Sequence, residues 1–149
     1  MIIRTIVSVF LVSFTSCVWG ADGVIAIKSP YQVGDTVDRL ETLVTGKGMT
    51  VFARIDHAAG AAKVGKTLRP TQLLIFGNPR GGTPFMQCAQ TVGIDLPLKM
   101  LAWQDEGGQV WLAYNDPKFL AQRHGAADCP VVRNIGNALA DFATLAVAP

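Results

Sequence analysis

The side chains of this chain best suited to chemistry are few. Its two histidines, His57 and His124, each have an acid nearby, Asp56 and Asp116 respectively. Neutral imidazoles with carboxylates can hold a divalent metal ion or exchange protons near neutral pH, provided the fold brings the two pairs together. Structural roles are open to the same residues. Asp56 and Asp116 stand where helix N-caps belong, and His124 precedes Gly125 in what reads as a last helical turn, where an imidazolium favours the helix dipole.

The stretch Gly77 to Pro84 follows an apolar run and opens a helical one, the position of a phosphate cradle. Gly77 and Gly82 have the spacing of G-x-x-x-x-G-K-[ST], but Thr83 replaces the lysine and Pro84 the hydroxyl residue that would hold magnesium. A nucleotide site is thereby excluded. A weaker possibility is that Arg80 and nearby amides hold a carboxylate or phosphate, although Pro79 and Pro84 each remove an N–H and a solvated turn fits as well. The sequence contains no G-x-S-x-G elbow, no H-E-x-x-H and no dinucleotide glycine fingerprint.

Of three cysteines, Cys17 lies in the apolar N-terminal stretch, leaving Cys88 and Cys129. They can form one disulfide in an oxidising compartment or pack as two buried thiols. No C-x-x-C pair exists, which excludes a structural zinc held by cysteines. Residues 1–20 have the three-part layout of a secretory signal: Arg4, an apolar run from Ile6 to Val18, then small residues up to Gly20. Cleavage before Ala21 and a periplasmic or secreted product are expected. A retained anchor and a lipid-modified Cys17 are the competing readings, the second opposed by Phe14 where such signals carry leucine.

The elements that must position these residues follow from hydrophobic spacing. Gly23 to Ser29 alternates as a strand; Val33, Val37, Leu40 and Val44 recur at helical spacing; Met49 to Asp56 alternates again, with Val51, Ala53 and Ile55 opposite Phe52 and Arg54. His57 to Lys66 reads as a short helix or loop. The unbroken run Leu73 to Phe76 predicts a central strand buried on both faces, and Thr83 with Pro84 predicts a helix start. Pro97 to Asp105 and Gln109 to Asn115 form a hairpin around Gly107 and Gly108; Asp116 caps a helix ending at Gly125; Ile135, Leu139, Phe142 and Ala146 mark a last helix. Leu40, Ile75, Leu101 and Leu139 are expected in the core. The sum is a single α+β domain over residues 21–149, with about five strands in a mixed or mainly antiparallel sheet and helices packed on one face. At 149 residues there is room for one core; 50% hydrophobic residues exclude disorder, and a net charge of +2 excludes nucleic acid and anionic membrane as electrostatic partners.

The strings GVIAIKSPY, TVDRLE, VFARIDHAAGA, LLIFGNP, IDLPLKMLAW and VWLAYNDPKFLAQRHG resemble the bacterial family called domain of unknown function 302, from Gly23 to Gly125. The resemblance implies a small α+β domain and no defined activity. Cys88 and Cys129 do not belong to the pattern, so a disulfide there is a local addition. The polar signatures are Arg54, Asp56, His57, Asn78, Asn115, Asp116, Arg123 and His124, at strand ends and helix boundaries, where binding sites and caps both occur.

Three functions compete. A noncatalytic exported module that binds a small anionic ligand or a partner fits the lack of a complete catalytic motif. A metal or acid/base enzyme requires the His57 and His124 regions to meet. A structural or assembly protein would carry a large exposed apolar patch or a paired sheet edge. For the first, the expected site lies where Arg54 to His57 and Asn78 meet Asn115 to His124.

Overall fold

The computed structural model describes residues 21–149. The leader read at residues 1–20, with Cys17, lies outside the described residues. Alternating side chains build five strands, β1 (Val24–Ser29), β2 (Thr50–Asp56), β3 (Thr71–Gly77), β4 (Leu98–Gln104) and β5 (Val110–Asn115). Helices α1 (Val33–Gly46), α2 (His57–Lys63), α3 (Pro79–Cys88), α4 (Pro117–Arg123) and α5 (Val131–Val147) connect or follow them, with a 3₁₀ turn at Gln90–Ile94. The sheet order is β1-β5-β4-β3-β2 and every neighbouring pair is antiparallel.

Helices α1 and α5 cover one face. Leu74, Phe76, Met100 and Leu112 from the strands are fully buried beneath Val37, Leu40 and Val44 of α1 and Leu139 and Phe142 of α5. Phe76 and Phe142 meet edge to face at 6.0 Å, a favoured aromatic geometry. The two helices are also tied by Arg39, which donates to the carbonyls of Ala146 (2.8 Å) and Ala148 (2.7 Å), and by the Tyr31 hydroxyl on Ala148 (2.6 Å). These bonds satisfy carbonyls that the end of α5 would otherwise leave unpaired.

Three local expectations change. β3 is second from the edge of the sheet and helices cover only one of its faces, so Leu74 and Phe76 are buried whereas Leu73 and Ile75 are half-buried on the uncovered side. Leu101 shares that side, while Leu40 and Leu139 are in the core as expected. In β2 a register shift between Val51 and Ala53 breaks strict alternation: Val51 pairs with buried Phe76, and Ala53 with Ile75 on the open face. Helix α3 begins at Pro79, five residues before the expected start at Pro84, because the Asn78 side chain accepts from the Arg80 N–H and supplies the cap; Pro84 is then inside the helix.

Candidate functional site

Consecutive antiparallel strands finish at opposite ends of a sheet. Asp56 closes β2 opposite Gln72 near the start of β3, whereas Asn78 follows the end of β3 and Asn115 closes β5 opposite Val24. Arg54, Asp56 and His57 therefore occupy one end of the sheet, and Asn78, Asn115 and Asp116 the other. The single constellation expected from the sequence is divided.

At the first end the polar groups satisfy one another. Arg54 lies on the helix-covered face, ion-paired with Asp38, 3.5 Å from Glu41 and bonded to Gln72 at 2.9 and 2.8 Å. Asp56 caps α2 by accepting from the Ala59 N–H at 2.8 Å, and its second oxygen accepts from Gln72 at 3.3 Å. His57 is exposed. The Arg54 guanidinium thus already faces two carboxylates, which opposes its use for an anionic ligand.

At the other end the residues serve separate corners. Asn78 caps α3 through the Arg80 N–H at 2.9 Å and donates to the Gly48 carbonyl at 3.0 Å. Asp116 caps α4 through Lys118 at 2.9 Å, and its own N–H donates to Gly23 at 2.8 Å. His124 ends α4, and Gly125 follows at φ +67°, the left-handed conformation that favours glycine after a helix. The imidazole bridges Asp95 (2.7 Å at Nε2) and the Thr91 hydroxyl (2.9 Å at Nδ1), with Arg123 3.4 Å from the same carboxylate. Asp95 and Thr91 were not singled out in the sequence, since they belong to a turn far from His124 along the chain. The order hydroxyl, imidazole, carboxylate is that of an activated nucleophile. Here it fastens the 3₁₀ turn to α4, and Thr91 lines neither the cleft beside α3 nor the concavity on the open sheet face. His57 and His124 stand at opposite ends, so they share no ion; among the described residues no group of three metal-ligating side chains is gathered.

The larger concavity is a cleft of about 770 Å³ between α3, the turn after it, α5 and the end of the sheet where β3 finishes. Met49, Phe52, Met86, Leu96, Leu98 and Ile135 make it apolar, while Asn78, Arg80, Thr83 and Asn134 supply polar groups. Glycines at 77, 81, 82 and 93 also line it. A Cβ at Gly82 would lie 3.5 Å from Leu96, so side chains larger than methyl there would compete with a ligand for space. Arg80 forms no ion pair among the described residues. Of the eight residues expected in the site, only Asn78 lines this cleft; the missed lining residues are mostly apolar and glycine, types that sequence reading assigns to core and turns. The smaller concavity, about 680 Å³, lies on the uncovered sheet face and includes Asn115. In its lining Asp105 accepts from the Trp111 indole N–H at 2.7 Å, and this bond is the main reason its carboxyl titrates below the ordinary value of 3.8. Cys88 and Cys129 are joined in a disulfide that ties the end of α3 to the segment before α5.

This fold and its apolar cleft define a small two-layer α+β domain with one covered sheet face. The chain belongs to the family described as Domain of unknown function DUF302, whose model matches residues 25–142. It is similar to the crystal structure of an uncharacterized conserved DUF302 protein from Bacillus stearothermophilus, with a TM-score of 0.76 and 20% identity over 85% of this chain and 99% of that one. Two curated relatives carry the name fluoride-specific ion channel FluC 1, from Brucella suis biovar 1 (strain 1330) and Brucella abortus biovar 1 (strain 9-941). Each is 49% identical over 102 residues, 68% of this chain. The matched stretch is 40% and 38% of those polypeptides, so this chain spans about two fifths of the relatives it matches. No helix among the described residues is long and apolar enough to cross a membrane.

Proposed function

We propose that the protein is an exported, noncatalytic binding module whose ligand occupies the cleft between α3 and α5. The ligand is a small molecule with an apolar body and one anionic group, the body against Met86, Leu96 and Ile135 and the anion at Arg80. One observation carries this reading: a roomy apolar concavity whose lining includes a cation without an ion-pair partner among the described residues. Export is supported by the signal-like residues 1–20 and by a disulfide, which persists in oxidising compartments. The test is a thermal-shift and calorimetric screen of short aliphatic and aromatic carboxylates. Ligands that bind the parent should lose about tenfold in affinity with Arg80→Ala, the loss of one charge-assisted bond. Gly82→Leu should abolish binding while the protein stays folded. Equal affinity in both variants would remove the cleft from consideration.

A second reading rests on the Brucella relatives. What supports it is a 49% identical stretch inside polypeptides named fluoride channels. On that reading sodium fluoride, and not sodium chloride at equal ionic strength, raises the melting temperature.

A further inference from the structure

We propose that the uncovered face of the sheet is an interface between two copies of this chain, related by a two-fold axis that seats Trp103 and Trp111 of each copy in the groove of the other. The strand register lays this face out in rows. Trp103 pairs with Trp111 and Trp111 with Lys28; the rings stack at 6.4 Å and 20°, with the Lys28 ammonium 5.5 Å from the Trp111 ring. Two residues along each strand, Leu73, Leu101, Ala113 and Ala26 form the next row; beyond it come Ile75 with Lys99 and Asn115 with Val24. Large indoles beside two rows of smaller or flexible side chains make a ridge next to a groove, the concavity of about 680 Å³ whose lining runs from Ala26 and Ala113 to Val24, Lys99 and Asn115.

An apolar sheet face is stable when another layer covers it. The long helices α1 and α5 both lie on the other face, and Leu73, Ile75 and Leu101 remain half-buried. The face is also ready to be covered, because the Trp111 indole N–H is already bonded to Asp105 and needs no water.

A second copy fits better than another occupant because ridge and groove lie on the same surface, offset along the strands. A two-fold axis in the interface plane, perpendicular to the strands and through the Leu101 row, exchanges the two outer rows. Each indole ridge then meets the Lys99 row of the other copy. Lys99 forms no ion pair among the described residues, so its ammonium gains the aromatic face of Trp103, two strands away from the Lys28 of that ridge. Five strands spaced about 4.8 Å apart and about 20 Å long give a footprint of roughly 500 Å² in projection. Side-chain relief brings this toward the small end of specific interfaces, about 600 Å² per partner. A weak, concentration-dependent dimer is therefore expected, to be sought between about 1 and 100 µM protein.

Sedimentation of the protein as its host exports it, across that concentration range, is the direct test. Both tryptophans beyond residue 20 lie on this face, so acrylamide quenching of the exported protein should fall as concentration rises. Leu101→Glu and Ala26→Arg should each weaken association at least tenfold while circular dichroism stays native. If either variant fails to fold, the quenching experiment on the parent protein decides alone. A monomer at every concentration, or a dimer whose indoles stay fully quenchable, overturns the proposal. So does a monomer whose indoles become shielded only on adding laurate, which would make the groove a site for an aliphatic anion.

Discussion

Asp105 couples a single hydrogen bond to acid stability. Its carboxylate accepts from Trp111 and from the backbone N–H of Gln109 at 2.9 Å, and the Trp111 bond does most to hold its pKa below 3.8 in the folded state. A depressed folded pKa stabilises the protein above the unfolded value, and that contribution disappears as pH falls through the folded one. The melting temperature of the parent should therefore exceed that of Asp105→Asn by a constant margin from about pH 8 to pH 5, a margin that closes below 3.8. A gap as wide at about pH 2 as at neutral pH would show that the difference is packing and not proton linkage. Single residues were legible where their partners are local. Asp56 and Asp116 both cap helices as their positions suggest, because a cap bonds within three residues of itself. His124 was legible only as a helix end: its bonds to Asp95 and Thr91 span 29 and 33 residues and carry no signature in local spacing.

At the scale of elements, hydrophobic spacing located the strands and the two long helices, since each has a periodic apolar side to bury. It could not tell how many faces of β3 are covered, because an unbroken run such as Leu73 to Phe76 suits burial on either side. Position within the sheet decides that, and position depends on pairing with residues far along the chain. Leu74→Ala should cost about 2 to 5 kcal/mol, the range for emptying a closed core site. Ile75→Ala, on the open side, should cost about 1 kcal/mol, since its surroundings are already partly solvated. Equal costs in urea denaturation would contradict one-sided burial. Helix α3 is anchored differently: Phe85 is its one buried residue among those described, and Cys88 links it to Cys129 across a separation of 41 residues. Loop-closure entropy assigns that link about 4 kcal/mol. Reduction should lower stability by roughly that amount, and because α3 is one wall of the cleft, ligand affinity should fall with it. Unchanged denaturation midpoints under reductant would mean the thiols are not joined.

Across the whole molecule, the course of the chain determines which polar residues can cooperate. The sequence suggested one site because Asp56, Asn78 and Asn115 all follow apolar strands, but strand order and direction were not readable from it. In a wholly antiparallel sheet β2 and β3 end on opposite sides, so Asp56 and Asn78 are separated even though each closes its strand. The family resemblance identified which residues are distinctive and left open which of them meet. Functional chemistry then belongs to one end at a time, and the cleft lies at the end holding Asn78 and Arg80. This arrangement predicts a specific pattern among variants. Arg54→Ala breaks its pairs with Asp38 and Gln72 and should lower stability by about 1 kcal/mol, the usual scale for partly exposed polar contacts. His57→Ala, an exposed position, should leave stability within about 0.5 kcal/mol. Neither should alter the affinity of a carboxylate that fills the cleft, because neither lines it and the Arg54 guanidinium is already held by Asp38, Glu41 and Gln72. Arg80→Ala should do the reverse, weakening the ligand about tenfold with little change in the unliganded melting temperature. Calorimetric titration of the three variants with one carboxylate separates the cases. Loss of affinity in Arg54→Ala or His57→Ala without loss of fold would mean that the ligand reaches the other end of the sheet, and the cleft would then not be the site.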